Sequence, residues 1–414
     1  MFRFLTAGES HGKGLVVVVE GLPAGIPLGE ADIARDLKRR QGGYGRGARM
    51  QIEQDHAEIL SGVRHGLTIG SPISLLIRNR DWQNWQEVMS VAPVEGYIVG
   101  LAPEPEGMIQ PITRLRPGHA DLPGVTKYNL DDIRPILERA SARETAARVA
   151  VGAVARKFLQ EFDIEIRSHV LAIGGCRAKP GGSIDWEKVE DSPVRCADAV
   201  AERQMIAAID AAREAGDSVG GLFEVIGMGV PIGLGTHIQW DRRLDGRIAQ
   251  AMMSIPAVKG VEIGAGFALA DLRGSEAQDV IEPGLRRPTN RAGGVEGGMT
   301  NGEPLVVRAA VKPIATIARP LASVDLRTGE KVSAHFERAD TCIVPAAGVI
   351  GEAMLAIVLA EAFLEKFGGD HIEETIRNYR GYVESASIDS RALTSEEYRG
   401  GRPLNSKLRT LNSH

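Results

Sequence analysis

The chain of 414 residues is poor in aromatic side chains and in cysteine. Phe, Trp and Tyr together make up 5% of the residues, and the three cysteines form no CxxC pair and no even set. Scattered thiols of this kind argue against a disulfide framework and favour a reducing, cytoplasmic compartment. The N-terminus also lacks the long apolar core of a signal peptide, so we expect a cytoplasmic protein.

The sequence also has only a small excess of one sign of charge, and its most apolar region is interrupted by charged residues. Lys and Arg number 49 against 54 Asp and Glu, and this acidic balance argues against a general nucleic-acid binder. The most apolar region, residues 343–364, contains Glu352 and Glu361, which favours a buried helix over a membrane span. The sequence has no P-loop, Rossmann or HExxH motif, so we expect neither those nucleotide sites nor a bound metal ion.

Glycine, in contrast, is abundant, with 49 residues and no low-complexity segment. It allows tight turns and close approach of the backbone to a ligand. The apolar patterning predicts a strand within residues 13–22, a short amphipathic helix over 32–40, and long helices over about 133–162 and 346–367. Small residues fill the first long helix and permit close packing, so we expect both long helices in the core.

An internal repeat relates two parts of the chain. Residues 62–73 match residues 294–305 at a constant offset of 232, and GLPAGI at 21–26 resembles GVPIGL at 229–234. An amphipathic helix follows in both halves. We therefore predict one α+β domain with an internal pseudo-two-fold repeat and a site where the halves meet. The predicted boundaries are 1–390 for the domain, about 21–76 and 229–308 for the repeats, and 391–414 for a polar, mobile tail.

The segment Gly8-Glu9-Ser10-His11-Gly12 fits the nucleophile-elbow pattern GxSxG. That pattern requires a helix after the serine, whereas glycines and four valines predict a strand here, which argues against a serine hydrolase. His11 lies between glycine-rich neighbours, and it is either exposed to a ligand or an ordinary loop histidine.

Basic residues are concentrated on glycine-rich backbone. Five basic groups and no acid stand between Lys38 and Arg49, which indicates either a solvated loop or an anion clamp, because guanidinium matches phosphate and carboxylate oxygens.

Arg139 and Arg143 are four residues apart and would share one helix face. They meet either an anionic ligand or Glu144.

Two further motifs contain groups suited to acid–base chemistry. A Pro-Gly turn presents His119 beside Arg114 and Arg116, where it is either a structural histidine or a proton relay, since imidazole relays protons near neutral pH. Asp340 precedes the second long helix, where it is either a helix cap or a general base.

These stretches together closely resemble the chorismate synthase family. The resemblance covers residues 1–385 and rests on motifs in the family's order and spacing, namely GESHG, GYGRGARM, RPGHAD, RASARETAARVA, NRAGG-x-EGGMTNG and R-x-D-x-C-x-VPAAGV-x-GE. It implies a trans-1,4-elimination of phosphate from 5-enolpyruvylshikimate 3-phosphate to give chorismate, the last step of the shikimate pathway. It also implies a need for reduced FMN without net redox change, a sandwich of antiparallel sheets flanked by helices, and a homotetramer.

The resemblance also assigns roles to residues. His11 matches a position that protonates the substrate phosphate, His119 one that manages the flavin N1 proton, and Asp340 one that works with flavin N5 in removing the substrate proton. The positions that match substrate-binding residues are Arg40, Arg46, Arg49, Arg116, Ser141, Ala142, Arg143 and Arg338. Those that match flavin-binding residues are Arg139, Ala140, Ser141, Pro256, Ala257, Gly297, Lys312, Pro313, Ile314, Ala315, Thr316 and Arg338.

The chain departs from the family pattern at two flavin positions. Pro256 stands where an amide side chain is usual, and Ala315 stands where serine is common, so each loses one side-chain hydrogen bond, a loss of about 1 kcal/mol. Arg40 and Arg46 also match positions linked to NADPH. Since the chain shows no appended reductase domain, we expect an external reductant for the flavin.

Overall fold

The computed structural model describes residues 1–47, 54–94, 111–179, 184–337 and 340–386. Its helices are α1 (Glu30–Gln41), α2 (Asp121–Tyr128), α3 (Arg134–Arg139), α4 (Thr145–Gln160), α5 (Trp186–Asp191), α6 (Ala199–Glu214), α7 (Leu244–Met253), α8 (Gly274–Ala277), α9 (Val344–Phe367) and α10 (Ile372–Ala386). Its strands are β1 (Arg3–Ala7), β2 (Gly14–Glu20), β3 (Ala57–Ser61), β4 (Val63–Arg64), β5 (Leu67–Thr68), β6 (Ile73–Arg78), β7 (Glu165–Ile173), β8 (Cys176–Arg177), β9 (Gly221–Met228), β10 (Val258–Ile263), β11 (Val295–Glu296), β12 (Met299–Thr300), β13 (Leu305–Val311), β14 (Ala322–Val324) and β15 (Lys331–Ser333).

The larger strands form two antiparallel sheets. One has the order β1-β2-β6-β3 and the other the order β10-β13-β9-β7-β8. Burial alternates along β2, where Leu15, Val17 and Val19 face the core and Val16 and Val18 are partly exposed, as expected for a sheet with one covered face. The predicted α+β fold class is confirmed, and so is the strand predicted within residues 13–22.

The long helices α4 and α9 lie in the core between the two sheets. Helix α4 packs against β2, helix α9 packs against β7 and β9, and the two helices pack against each other. A Cβ atom added to Gly152 would come within 2.2 Å of Ala353 Cβ, so the close approach requires glycine there. Of the described helices, only α9 is long and apolar enough to cross a membrane, but 89% of its most apolar window is buried. This burial supports the prediction of a core helix.

The prediction of one continuous helix over residues 133–162 is wrong. Helix α3 ends at Arg139, Ser141 is extended with φ −65° and ψ 142°, and one short 3₁₀ turn precedes α4. The Ser141 hydroxyl accepts a hydrogen bond from the Arg143 amide at 3.3 Å, since serine competes for backbone groups and favours helix starts. Because of this break, Arg139 and Arg143 do not share a helix face.

The two halves that the sequence repeat relates have the same order of elements. In the first half, β2 is followed by α1, β3, the hairpin β4–β5 and β6. In the second, β9 is followed by α7, β10, the hairpin β11–β12 and β13, with the short helix α8 inserted between β10 and β11. The neighbours in the sheets correspond too, since β2-β6-β3 has its counterpart in β9-β13-β10.

Hydrogen bonds around the hairpins also correspond. The Thr68 hydroxyl donates to Pro23 O at 2.7 Å and accepts from Ile26 N at 2.9 Å. The Thr300 hydroxyl donates to Pro231 O at 2.6 Å and accepts from Leu234 N at 2.8 Å. The pseudo-two-fold axis and the domain limits at residues 1–390 stay predictions, and the tail over 391–414 lies outside the described residues.

A buried ion-pair network, here called the Glu352 network, joins the central helices. Its members are Asp36, Arg39, Arg156, Glu190, Arg195 and Glu352. Within it, Arg39 and Arg156 both donate to Glu352 Oε2 at 2.7 Å, and the Ser168 hydroxyl donates to Oε1 at 2.6 Å. Burial works against the charged carboxylate, but Arg39 and Arg156 outweigh it and hold the pKa of Glu352 well below its usual range. The network therefore ties α1, α4, β7 and α9 together through charge.

We expect Glu352→Gln to lower the free energy of unfolding by about 3–5 kcal/mol at neutral pH, because it leaves buried guanidinium groups without their carboxylate. The folded-state pKa of Glu352 is depressed, so the stabilisation is present above the unfolded-state pKa near 4.5 and is lost as the pH falls through the folded value. The difference between the variant and the wild type should therefore shrink in acid.

Chemical unfolding at fixed protein concentration, at neutral and at acidic pH, measures this difference. The control is Glu58→Gln, which removes an exposed carboxylate paired with Arg78 and should change the unfolding free energy by about 0–1 kcal/mol. Equal effects of the two substitutions would contradict a structural role of the Glu352 network.

Candidate active site

The loop between β1 and β2 is held from three sides. Asn79 Nδ2 donates to Glu9 O at 3.1 Å and to Gly12 O at 2.7 Å. Ser10 N donates to Glu138 O at 3.1 Å, and the Ser141 hydroxyl donates to the Ser10 hydroxyl at 3.1 Å. Strand β2 follows at Gly14 and Ser10 is 2% exposed, so the strand-to-helix geometry of a nucleophile elbow is absent from this described segment.

The His11 side chain is fixed by a carboxylate and an indole. Its Nδ1 lies 2.9 Å from Glu138 Oε1, and its backbone N donates to Glu138 Oε2 at 2.7 Å. The ring stacks on Trp85 at a centroid separation of 3.9 Å. With 12% of the side chain exposed, His11 is largely covered and is not an ordinary solvated loop histidine.

Glu138 is the first member of a chain of ion pairs. Arg134 Nη1 lies 3.2 Å from Glu138 Oε1 and 3.2 Å from Glu337 Oε1, and Glu337 Oε2 lies 3.9 Å from Arg116 Nη1. Burial works against the charged form of Glu337, but His335, Arg134 and Arg116 outweigh it and hold its pKa below the ordinary value.

This series of ion pairs ends at His119. Its Nδ1 lies 2.7 Å from Asp121 Oδ1, and Arg116 Nη2 donates to the same oxygen at 2.8 Å. Burial opposes ionisation, but the hydrogen bonds from Arg116 and His119 outweigh it and hold the pKa of Asp121 well below its usual range. The structure thus connects the two predicted histidines through one set of contacts, the histidine network, which comprises His11, Arg116, His119, Asp121, Arg134, Glu138, His335 and Glu337.

A second group of charges, the arginine cluster, contains Arg40, Arg46, Asp55, Arg143 and Asp340. Arg40 Nη1 lies 3.2 Å from Asp55 Oδ2, and Arg143 pairs with the other oxygen of the same carboxylate. Glu144, the alternative partner for Arg143, instead pairs with Arg148 at 2.9 Å. Arg143 Nε donates to Asn79 Oδ1 at 3.0 Å, which connects this cluster to the His11 loop.

Asp340 is bound to the glycine-rich segment and does not cap a helix. Its Oδ1 accepts from Gly47 N at 2.6 Å, its Oδ2 lies 2.8 Å from Arg46 Nη1, and α9 has Ile343 at its cap. Arg40 is buried and Arg46 is 11% exposed. The described part of the basic stretch is therefore not a solvated loop.

A small cleft lies next to the arginine cluster. Its lining residues are Arg40, Arg46, Ala142, Thr145, Ile255, Pro256, Ile343, Ala346, Ala347 and Ile350. Burial, reinforced by the like charges of Arg46 and Arg143, lowers the pKa of Arg40 despite the opposing effect of Asp55. Concentrated guanidinium groups beside an otherwise apolar wall favour an anion that carries a hydrophobic ring.

The structure brings only some of the predicted flavin-binding residues close to one another. Lys312 N donates to Ala257 O at 2.9 Å, and Lys312 Nζ donates to Gly118 O at 2.6 Å, beside His119. Ser218 donates to Ile314 O at 2.8 Å. The segment Lys312, Pro313, Ile314, Ala315 and Thr316 therefore adjoins the histidine network, and the cleft wall contains Pro256 without an amide group.

Other predicted positions lie apart or cannot be placed. Gly297 lies in the turn of β11–β12, where no heavy atom comes within 4 Å of the position that a Cβ would take. Arg139 donates to Gly8 O and Thr6 O, both at 3.0 Å, so it holds the end of β1. Arg49 and Arg338 lie outside the described residues.

The sequence reasoning missed the four acids, the amide and the indole that hold the predicted site residues. They are Asp55, Asp121, Glu138, Glu337, Asn79 and Trp85. The signal that could have found the acids is that buried arginines require carboxylate partners. Among the four acids, only Asp121 is close in sequence to the predicted site residues that it contacts, Arg116 and His119.

The arrangement concentrates guanidinium groups at a cleft and connects them to the His11 loop through Arg143 and Asn79. The family model described as chorismate synthase matches residues 2–364. Chorismate synthases from Moorella thermoacetica and Symbiobacterium thermophilum are 58% and 55% identical, covering 93% and 92% of this chain and 100% and 98% of theirs. A crystal structure of a chorismate synthase, 46% identical, matches with a TM-score of 0.73 over 93% of this chain and 98% of that one. The chain belongs to the chorismate synthase family of lyases.

Proposed function

We propose that the protein eliminates phosphate from 5-enolpyruvylshikimate 3-phosphate in a trans-1,4 reaction that gives chorismate, in the cytoplasm and with reduced FMN. The observation that carries the proposal is the proximity of the His11 loop to the arginine cluster, through the hydrogen bond from Arg143 to Asn79 and those from Asn79 to the loop. This substrate has a phosphate and two carboxylates, and such a polyanion needs concentrated guanidinium groups in a net acidic protein.

Different residues of the chain would bind the substrate, donate a proton to the phosphate and help to remove the substrate proton. Arg46, with Arg40 and Arg143 behind it, attracts and orients the substrate anions. His11 gives a proton to the departing phosphate from Nε2 as an imidazolium that carries hydrogen on both nitrogens, because Nδ1–H stays bonded to Glu138 and Nε2 both takes up and releases the transferred proton. Asp340 takes part in removing the substrate proton, which requires its oxygens to exchange contacts with Arg46 and Gly47 for contacts with ligand.

The described residues fit a flavin in part. Reduced flavin would supply electron density to the reacting ring and recover it by the end of the reaction. Lys312 Nζ donates to Gly118 O, next to His119 in the chain, so a cation and an imidazole adjoin the same turn. Most of the residues that line the cleft are apolar, which suits a flat ring system. Pro256 offers packing to that ring but no hydrogen bond.

The flavin would be reduced by an external donor. Arg40, one of two positions linked to NADPH, is 3% exposed. Its three guanidinium nitrogens donate to Thr145, Asp55 and Ala142 O within 3.2 Å. Such a residue contributes positive charge to the cleft but little surface for a nicotinamide nucleotide.

An apolar sheet face supports a homotetramer. Leu5 is 76% exposed, and Val16 and Val18 are each 37% exposed on the outer face of the first sheet, where Leu5 pairs with Val18 across β1 and β2. Contiguous apolar side chains on an open sheet face favour burial against another copy.

Anaerobic incubation with chemically reduced FMN and 5-enolpyruvylshikimate 3-phosphate should release phosphate in many turnovers without stoichiometric consumption of reductant. Ser10→Ala, which removes the hydroxyl that a hydrolase would need, should retain at least part of this turnover. Tight substrate binding without phosphate release would favour a non-catalytic anion-binding module instead.

His11→Ala and His119→Ala should each slow turnover by about 10²- to 10⁴-fold, the usual contribution of a positioned acid or base. Initial rates at saturating substrate and flavin measure the effect. The control His56→Ala removes an exposed imidazole paired with Glu30 and should leave the rate near that of the wild type. Unchanged rates in both site variants would refute the assigned roles.

Arg46→Gln should raise KM for the substrate by about 10- to 100-fold, the range expected for one lost charge-assisted hydrogen bond. Flavin affinity, followed by fluorescence quenching, should change less. Arg78→Gln provides the matched control, since Arg78 is exposed and paired with Glu58. Equal losses of substrate and flavin affinity would argue against a direct contact between Arg46 and substrate.

Sedimentation should find a species of four times the chain mass of 44.4 kDa. Val18→Lys should shift the population to smaller species, because it puts a charge in the apolar sheet face. Val324→Lys, at a 44% exposed residue of the hairpin β14–β15, should not do so. A wild-type monomer at micromolar concentration would exclude the tetramer.

A further inference from the structure

We propose that Glu138 is a positioning residue that holds His11 in the tautomer with hydrogen on Nδ1, so that Nε2 is the nitrogen presented to the substrate. The proposal deepens the proposed function, since the catalytic role of His11 rests on it. Glu138 stands on α3, just before the break at Ser141, and its side chain is fully buried.

The Glu138 carboxylate accepts from three donors, two of which belong to His11. Oε2 accepts from His11 N at 2.7 Å, and Oε1 lies 2.9 Å from His11 Nδ1 and 3.2 Å from Arg134 Nη1. His11 Nδ1 also lies 3.0 Å from Oε2, so it bridges both oxygens. An ionised carboxylate has no hydrogen to give, so the hydrogen of this contact belongs to Nδ1. No hydrogen-bond partner of His11 Nε2 exists among the residues that the structure describes.

The imidazole has little freedom to leave this orientation. Trp85 stacks on it at 3.9 Å with an interplanar angle of 27°, and the Trp85 indole Nε1 donates to Asp81 at 3.0 Å. Arg134, paired with Glu138, also lies over the Trp85 ring at 5.2 Å from its centroid. Rotation of the ring by half a turn would break the contact with Glu138 without offering another buried acceptor at that position.

A glutamine at position 138 cannot satisfy the same donors, because it has one acceptor oxygen and one NH₂ group. If its oxygen faced His11 Nδ1, its NH₂ would face the His11 backbone N–H, a donor that cannot change its protonation. If its oxygen faced the backbone N–H, its NH₂ would face Nδ1, which can become an acceptor by moving its hydrogen to Nε2. The second arrangement removes the conflict with His11, and Arg134 Nη1, which would also face the NH₂ group, keeps its contact with Glu337 Oε1 at 3.2 Å. Glu138→Gln should therefore convert His11 to the Nε2–H tautomer.

Histidine-labelled protein without flavin or substrate tests this directly. Two-bond ¹⁵N–¹H correlation spectra at mildly alkaline pH distinguish the neutral tautomers, and His11→Asn identifies the His11 signals by their loss. We expect the Nδ1–H form in the wild type and the Nε2–H form in Glu138→Gln. An Nε2–H form in the wild type, or the same tautomer in both proteins, overturns the proposal whether or not phosphate release is observed.

Measurements of kcat and KM distinguish a positioning role of Glu138 from a general structural role. Glu138→Gln should lower kcat by about 10²- to 10⁴-fold with less than about threefold change in KM, because a neutral amide neither orients His11 nor stabilises the imidazolium that donates from Nε2. Glu138→Asp keeps two acceptor oxygens and should retain the Nδ1–H form with a higher kcat than Glu138→Gln. A rise in KM with unchanged kcat, or the same tautomer and kcat in the Asp and Gln variants, contradicts the role.

The chain offers a matched control in a second His–Glu pair. His169 Nε2 lies 3.0 Å from Glu224 Oε1, and this buried pair belongs to neither the histidine network nor the arginine cluster. Glu224→Gln should leave the His11 signals and kcat unchanged. If Glu138→Gln does not fold, the wild-type spectrum and the Glu138→Asp variant still decide the question.

Discussion

Buried charge must be balanced, and this constraint shapes both the core and the candidate site. An unpaired ion in the interior costs several kcal/mol, so each buried guanidinium needs a carboxylate at hydrogen-bond distance. In this chain the partners come from distant segments. Asp55 after the basic stretch holds Arg40 and Arg143, and Glu352 in the middle of α9 holds Arg39 and Arg156. Charge pairing therefore fixes how the helices and loops meet, in addition to apolar packing.

The repeated topology provides the frame for these contacts. Each half supplies a sheet with one covered face, and α4 and α9 fill the space between the sheets. The site draws on segments that leave this frame, namely the β1–β2 loop, the end of α1, the break between α3 and α4, and the segment before α9. Loops on a rigid scaffold are the usual location of binding groups, because their backbone is free to present polar atoms.

Much of the fold follows from local patterning, and most of the site does not. Strand β2 and helices α1 and α9 are where period and glycine placement predict them. The break at Ser141 was missed, because alanine-rich sequence on both sides favours helix and one serine is a weak stop signal. The arginines and histidines were recognisable by motif, whereas Glu138 and Glu337 were not. Their role depends on contacts with residues more than a hundred positions away, which no local pattern encodes.

The balance of charge distinguishes the structural network from the binding cluster. The Glu352 network sets the three guanidinium groups of Arg39, Arg156 and Arg195 against three carboxylates, so it is complete within the chain. Among the residues that the structure describes, the arginine cluster sets three guanidinium groups against the two carboxylates of Asp55 and Asp340. Under the proposed function, a polyanionic ligand would add negative charge beside these groups. The histidine network sets three carboxylates against two arginines, and its further members are the imidazoles of His11, His119 and His335, each beside one of these carboxylates. The same rule of pairing thus accounts for the closed core and for the contacts that orient the imidazoles of the proposed site.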